Sequence, residues 1–227
     1  MNGIVRDEDN AILDVIEREL FTAVVGDVLD QMGLTRQFLS PAVKPIDVSM
    51  RIIGWAMPVV ERDLPEDRGK RIGAPFGQMF RALDDLQPRE VYICAGSSPS
   101  YALWGGLMST RAKACGAAGA VLHGYHRDTA DILRLGLPVA SFGGYAQDQG
   151  VRGEVVDWRT PISADGVRIS PGDLVFGDRD GVLIVPRAAV SEAISLALEK
   201  VRAENLVAAA LERGMTSEQA FETYGVM

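Results

Sequence analysis

The sequence predicts an α/β fold in a single domain over residues 1–227, and three observations carry that expectation. Between residues 103 and 142, helix-like and strand-like segments alternate: helix 103–117, strand 119–124, helix 128–135, strand 138–142. That rhythm is the mark of parallel strands with helices packed over them. Beyond Gly150, short β-prone pieces at 153–157, 166–169, 173–177 and 182–186 are separated by Gly, Pro and Asp, the pattern of small antiparallel strands. A final helix runs from about Arg187 to Glu212 and spans about 39 Å at about 1.5 Å per residue.

The first half follows in order. Residues 10–18 and 22–32 read as two short helices, with Thr22 placed to cap the second and Gly33 to stop it. Arg51 to Val60 is rich in Ile, Val and Trp and suits a mostly buried strand. Asp63 to Gly73 is polar and broken by Pro and Gly, so it reads as a mobile loop. Met79–Leu86 reads as a helix, and a turn at Gln87-Pro88 leads into a buried strand ending at Gly96. In the final helix, Val190, Ile194, Leu196, Leu198 and Val201 do not form one clean stripe, which suggests packing on more than one surface, a neighbouring subunit included.

Composition narrows the functional classes. Thirty-one acidic against 23 basic residues give a net charge of −8, which disfavours nonspecific nucleic-acid binding. No run reaches the roughly 18 uninterrupted apolar residues of a membrane span. The start of the chain lacks a basic segment followed by an apolar one, so no secretory signal is read there. Cys94 and Cys115 lack zinc or redox spacing and read as free thiols in a reducing cytoplasm.

The segment from Trp104 to Asp128 concentrates the chemistry. A diglycine, Gly105-Gly106, opens an Ala-rich helix; an apolar run follows; a tight turn ends in Arg127-Asp128, with His123 and His126 just before it. A backbone freed to approach a ligand, a helix N-terminus, a fixed cation and a carboxylate together suit an anionic substrate beside a divalent metal. The same residues also read as a strand-to-helix turn in which Asp128 caps the helix and Arg127 is a surface cation.

Taken in order, Thr22-Ala-Val-Val-Gly-Asp-Val-Leu-Asp30, Arg51-Ile-Ile-Gly-Trp-Ala56, Trp104-Gly-Gly-Leu-Met108, Gly124-Tyr-His-Arg-Asp128 and the segment from Pro171 to Pro186 resemble the RraA-like family. That family takes in the regulator of ribonuclease activity A and the class II aldolases of 4-hydroxy-4-methyl-2-oxoglutarate; some members were formerly named demethylmenaquinone methyltransferases. The resemblance implies a three-layer β/β/α sandwich with a long C-terminal helix, and a homotrimer or homohexamer with active sites between subunits. It also implies a divalent metal, Mg²⁺ or Mn²⁺ first. By the same resemblance Arg127 pairs with a carboxylate or keto oxygen of a small 2-oxo acid, and Asp128 binds the metal. The amides of Leu107 and Met108, after Gly105 and Gly106, cradle the substrate carboxylate. Glu204 matches a glutamate that relatives insert into a neighbouring subunit's site.

One departure stands out. The family signature is a carboxylate, twenty intervening residues, then Arg-Asp; counting back from Arg127, Gly106 stands where the acid belongs. His123 stands on the strand where relatives often carry another acid. Three readings follow: a metal-dependent aldolase or oxaloacetate decarboxylase; altered chemistry on a related oxo- or hydroxy-acid using His123 and His126, with Zn²⁺ or another transition metal; or a noncatalytic regulator whose partner is a protein surface. Asp27 reads as a capping or helix-surface residue before a site carboxylate, and Asp178 and Asp180 as shaping a turn through side-chain bonds to backbone before contacting a ligand. Specificity beyond the pyruvate part is expected from the 61–76 loop and from neighbouring subunits.

Overall fold

The computed structural model describes residues 7–65 and 76–225. Most of the expected 63–73 loop, and residues 66–75 of the 61–76 segment, therefore lie outside the described residues. Two helices come first, α1 (Asp7–Glu19) and α2 (Thr22–Gln31), then the short strand β1 (Lys44–Pro45) and the long strand β2 (Ile52–Asp63). The middle of the chain holds α3 (Met79–Asp84), β3 (Glu90–Ala95), β4 (Ala102–Trp104), α4 (Gly106–Ala114), β5 (Gly119–Leu122), β6 (Tyr125–His126), α5 (Thr129–Leu135) and β7 (Val139–Ser141). After it come β8 (Gly153–Trp158), β9 (Ile162–Ala164), β10 (Val167–Ile169), β11 (Leu174–Asp178) and β12 (Gly181–Val185). A 3₁₀ turn at Arg187–Ala189 leads into α6 (Val190–Glu212), and α7 (Ser217–Tyr224) follows.

The strands build one sheet in the order β1-β7-β5-β3-β2-β11-β12, with β8 paired to the outer part of β2. The pairings β2–β3, β3–β5 and β5–β7 are parallel, as the alternating centre requires, while β11 and β12 add antiparallel. Alternation along each strand sends side chains to two faces. One face of β2, β3 and β5 presents Met57, Val59, Tyr92, Cys94, Ala120 and Leu122 to α3, α4 and α5. The same face, continued through Ile53, Trp55, Phe176 and Leu183, meets α1, α2 and α6. The opposite face presents Ala56, Ile93 and Val121 to Ile162, Ala164, Val167 and Ile169 of the β9–β10 hairpin. Hairpin, sheet and helices make the expected three layers.

Local expectations fail in identifiable ways. The segment expected as one helix over 103–117 begins as strand: Leu103 and Trp104 are buried against the sheet, β4 pairs with β6, and the helix starts only at Gly106. Thr22 does not cap α2. Its N–H and hydroxyl donate instead to the two oxygens of Asp178, at 2.8 and 2.7 Å. Asp178 also accepts the Asp180 N–H at 2.9 Å, which is the turn-shaping role read for it. The long C-terminal helix divides its burial. Val190, Ala193, Ile194 and Ala197 pack into the core, Val207 and Ala210 are buried further along, and Leu206 is exposed. Cys94 and Cys115 are free thiols, and no helix among the described residues is long and apolar enough to cross a membrane.

Candidate active site

The site is made where two short strands end side by side. β4 pairs parallel with β6, and the Arg127 N–H donates to the Trp104 carbonyl at 2.9 Å, so Gly105-Gly106 meets Arg127-Asp128. The Trp104 indole N–H donates to Ser109 Oγ at 2.6 Å, and that hydroxyl donates to the Gly105 carbonyl at 3.1 Å, which fixes the start of α4. Asp128 takes the left-handed conformation (φ 60°, ψ 38°), and its Oδ2 accepts the Gly106 N–H at 3.0 Å. A Cβ at position 105 would lie 2.7 Å from that same Oδ2, so any larger residue there would make the Asp128 carboxylate shift. Asp128 therefore reaches across to α4 and makes no capping bond to its own helix.

The first-turn N–H groups of Leu107 and Met108 have no carbonyl one turn back and add to the positive end of the helix dipole. Beside them, the Arg127 guanidinium is held by Asp148 Oδ1 at 2.9 Å from Nη1, with Asp128 Oδ2 at 3.9 Å from Nε. Arg127 keeps 40% of its side-chain surface open.

These groups form one end of a cavity of about 370 Å³. Its remaining walls are aromatic and aliphatic side chains, chiefly from α3 and α4, with Arg111 and Asp84 paired at 2.8 Å. Gln149 lines the cavity next to Asp148 and donates from Nε2 to Glu61 Oε2 at 2.7 Å. Glu61 is buried, and its Oε1 has no partner among the described residues. Burial pushes its carboxyl up to about 8 despite the Gln149 bond, so the acid form prevails at neutral pH.

The two histidines do not join this cluster. Ala120 and Leu122 of β5 face the helices; Val121 faces the hairpin, and His123 continues Val121's side. Its Nε2 lies 3.0 Å from Asp165 Oδ1, and its ring packs edge-on against Phe142. His126 is buried, with Nδ1 2.7 Å from Ser141 Oγ and Nε2 2.9 Å from Thr129 Oγ1. Burial lowers its pKa, so it stays neutral and ties β6 to β7 and to the start of α5. Neither ring lines the cavity. Glu204 stands on α6, 3.5 Å from Lys200 Nζ, which also pairs with Asp27 at 3.0 Å. Neither carboxylate lines the cavity of its own chain.

Three residues at or beside the site were not read from the sequence as belonging to it. Asp148 reaches Arg127 only through tertiary structure. Asp131 flanks Gly106: a Cβ there would lie 3.2 Å from Asp131 Cβ and 3.4 Å from its Oδ2. Glu61 was readable in part, since alternation from Met57 and Val59 puts it on the helix-facing side of β2.

The sequence profile of the RraA-like family, described as Aldolase/RraA, matches residues 22–184. The chain belongs to the RraA-like family. The protein DlpA of Legionella pneumophila is 29% identical over 204 residues, 89% of this chain; the chain spans about a third of DlpA, 32% of its length. A Halalkalibacterium halodurans relative, named as a candidate 4-hydroxy-4-methyl-2-oxoglutarate aldolase, is 28% identical over 184 residues, 81% of this chain and 80% of that protein. Among solved structures, an uncharacterized Pseudomonas syringae protein superposes with a TM-score of 0.83 at 26% identity, covering 95% of this chain and 94% of that one. Streptomyces coelicolor RraAS2, described as an unusual member of the RNase ES inhibitor RraA family, shares the fold at a TM-score of 0.77 and 24% identity, over 87% of this chain and 96% of its own.

Proposed function

We propose that this RraA-like protein is a divalent-cation-dependent carbon–carbon lyase on a pyruvate-type 2-oxo acid, cleaving 4-hydroxy-2-oxo acids, decarboxylating oxaloacetate, or both. The observation that carries the reading is the convergence of a held guanidinium, two helix-terminal N–H groups and a carboxylate at one end of one cavity. The Arg127 fork suits a planar carboxylate or the adjoining keto oxygen. The Leu107 and Met108 amides would take the remaining carboxylate oxygen. Cleaving the bond β to the ketone leaves a pair of electrons shared between C3 and the C2 oxygen, and the Arg127 charge favours that distribution.

The donor set fits a hard cation. The hydrogen bond and the ion pair of Asp128 both fall on Oδ2, which leaves Oδ1 for a ligand. Among the described residues no group of three or more His, Cys, Asp or Glu is arranged to hold a metal. Mg²⁺ and Mn²⁺ suit such a site, since Mg²⁺ keeps several waters and accepts one or two carboxylates. A bound divalent cation supplies Lewis-acid stabilisation of charge on the substrate oxygen. Asp128 would hold it, and Glu204 would complete the shell across a subunit boundary. With both imidazoles turned away from the cavity, nothing in the geometry favours zinc or the histidine-based chemistry.

Phe21, Phe38, Leu206 and Phe221 are exposed, and burying them in a homotrimer or homohexamer would remove apolar surface from water. Glycine at position 106 weights the reading toward decarboxylation, because carbon dioxide leaves without a proton being removed from a hydroxyl. The test is pyruvate release from oxaloacetate and from 4-hydroxy-2-oxo acids with added Mg²⁺ or Mn²⁺. Release that depends on the cation supports the reading, and its absence with every substrate defeats it.

A further inference from the structure

We propose that Glu61 is a positioning residue for the bound 2-oxo acid. Through Gln149 it fixes the segment 147–149, and Asp148 of that segment sets the Arg127 guanidinium. The inference rests on the lyase reading above in that Arg127 receives a carboxylate. Segment 147–149 lies beside β4, at whose end the site begins. The Ala102 N–H donates to the Gln147 carbonyl at 2.8 Å, and Asp148 forms a parallel bridge with Ala102. Arg152 Nη1 donates to the Asp148 carbonyl at 2.9 Å, and the Gln149 carbonyl accepts the N–H groups of Arg152 and Gly153 at 2.6 and 3.0 Å. These bonds shape the turn, but they come from nearby in the chain or from a strand of three residues. The Gln149 side chain ties the segment to the main sheet. It is buried, and its Nε2 donates at 2.7 Å to Glu61 Oε2 on β2, the strand that pairs with β3, β8 and β11.

Arg127 and Asp148 keep 40% and 42% of their side-chain surface open, and an ion pair that exposed contributes little through charge alone. Its value to a ligand is geometric. With Nη1 held at 2.9 Å, a long side chain of many rotamers meets the carboxylate already oriented, and less ordering is left for the binding step. That benefit depends on where Asp148 stands. Loss of the acceptor at position 61 takes from the buried Gln149 amide the bond that turns its N–H away from the cavity. A buried donor deprived of its acceptor is costly. Regaining one from cavity water swings the amide outward, and Asp148, one residue away, moves with it.

Oxalate, with Mg²⁺ present, is titrated calorimetrically into the wild type, Glu61→Leu, Glu61→Gln, Asp148→Ala and the double variant Glu61→Leu with Asp148→Ala. Glu61→Leu keeps the bulk and removes the acceptor, and its oxalate affinity is expected to fall about fivefold. Glu61→Gln keeps a side-chain oxygen for Gln149 and is expected to restore binding to within about twofold of wild type. In the Asp148→Ala background, Glu61→Leu should add less than about twofold, because the route from Glu61 to Arg127 is already cut. Where Glu61→Leu does not fold, Gln149→Met breaks the same bond from the other end, and its direct effect on the cavity cancels in the same cycle. Unchanged affinity in Glu61→Leu overturns the inference, as do equal losses in both backgrounds or a glutamine variant as weak as the leucine one. Each of those outcomes leaves the lyase reading standing. A wild type that binds no oxalate overturns the carboxylate site itself, and this inference with it.

Discussion

Arg127 and His123 stand four residues apart, yet they serve opposite sides of the sheet. Beyond β5, His123 keeps the register of Val121 and turns toward the β9–β10 hairpin, where Asp165 and Phe142 hold it. Two residues on, β6 leaves the main sheet to pair with β4, and Arg127 emerges on the helix side into the cavity. His126 is the hinge post between the two, with both ring nitrogens engaged. A cluster in sequence is thus split in space by the period-two alternation of a strand and one change of sheet. The difference divides the segment into a pair that lines the cavity, Arg127 and Asp128, and two histidines held by contacts outside it.

The comparison is broken most severely at Gly105. Gly105→Ala puts a methyl group 2.7 Å from Asp128 Oδ2, so Asp128 must move. Pyruvate release is expected to fall on the order of 100-fold, equivalent to about 2.7 kcal/mol, while circular dichroism shows the fold retained. Full activity in that variant would remove Asp128 from the site.

The acid buried behind the cavity, tied to its wall through Gln149, gives a stability effect of comparable size. Folding raises the Glu61 carboxyl to about 8 from its ordinary 4.5, so the folded chain keeps a proton that the unfolded chain releases. Its contribution is therefore most favourable below about pH 4.5 and is lost progressively as pH climbs toward 8. Glu61→Gln keeps the shape without the titration. Urea unfolding at pH 8 should show it more stable than wild type on the order of 3 kcal/mol, with the gap closing toward pH 5. A gap that does not depend on pH would mean that Glu61 is ionised in the fold.

The two histidines sharpen the contrast at smaller scale. His126→Ala removes the ring's contacts to the Ser141 and Thr129 hydroxyls, of which Ser141 keeps the Gly143 N–H, and should cost about 1–3 kcal/mol of stability, read as a lower urea midpoint. His123→Ala removes one half-exposed contact outside the cavity, so pyruvate release should stay within about twofold of wild type. A large loss of activity in His123→Ala would restore that residue to a catalytic role and undo the comparison.

Much of this was legible in the chain itself. The parallel centre followed from the alternation of element types, and the Arg127–Asp128 pair from its position after a diglycine helix start. The strand at 102–104 was not, because Ala102-Leu-Trp104 is too short to show a period and its partner β6 has only two residues. The last helix, α7, did carry a signal: Thr216 and Gln219 form a reciprocal capping box, three residues apart as such boxes require. Asp148 was beyond reach, since nothing local distinguishes it from any aspartate in a turn before Gly150. The side on which His123 falls was implicit in the strand pattern and was obscured by its nearness to Arg127.

The central claim is that Arg127 binds a carboxylate through a two-pronged contact. Calorimetric titration of oxalate, a pyruvate analogue, into the protein with Mg²⁺ present tests it directly in the wild type and in Arg127→Lys. Wild-type binding, with affinity at least tenfold weaker in the folded lysine variant, is the expected result, because a lysine ammonium cannot reproduce the fork. Equal oxalate affinity in the two proteins would contradict the account and make Arg127 a surface cation.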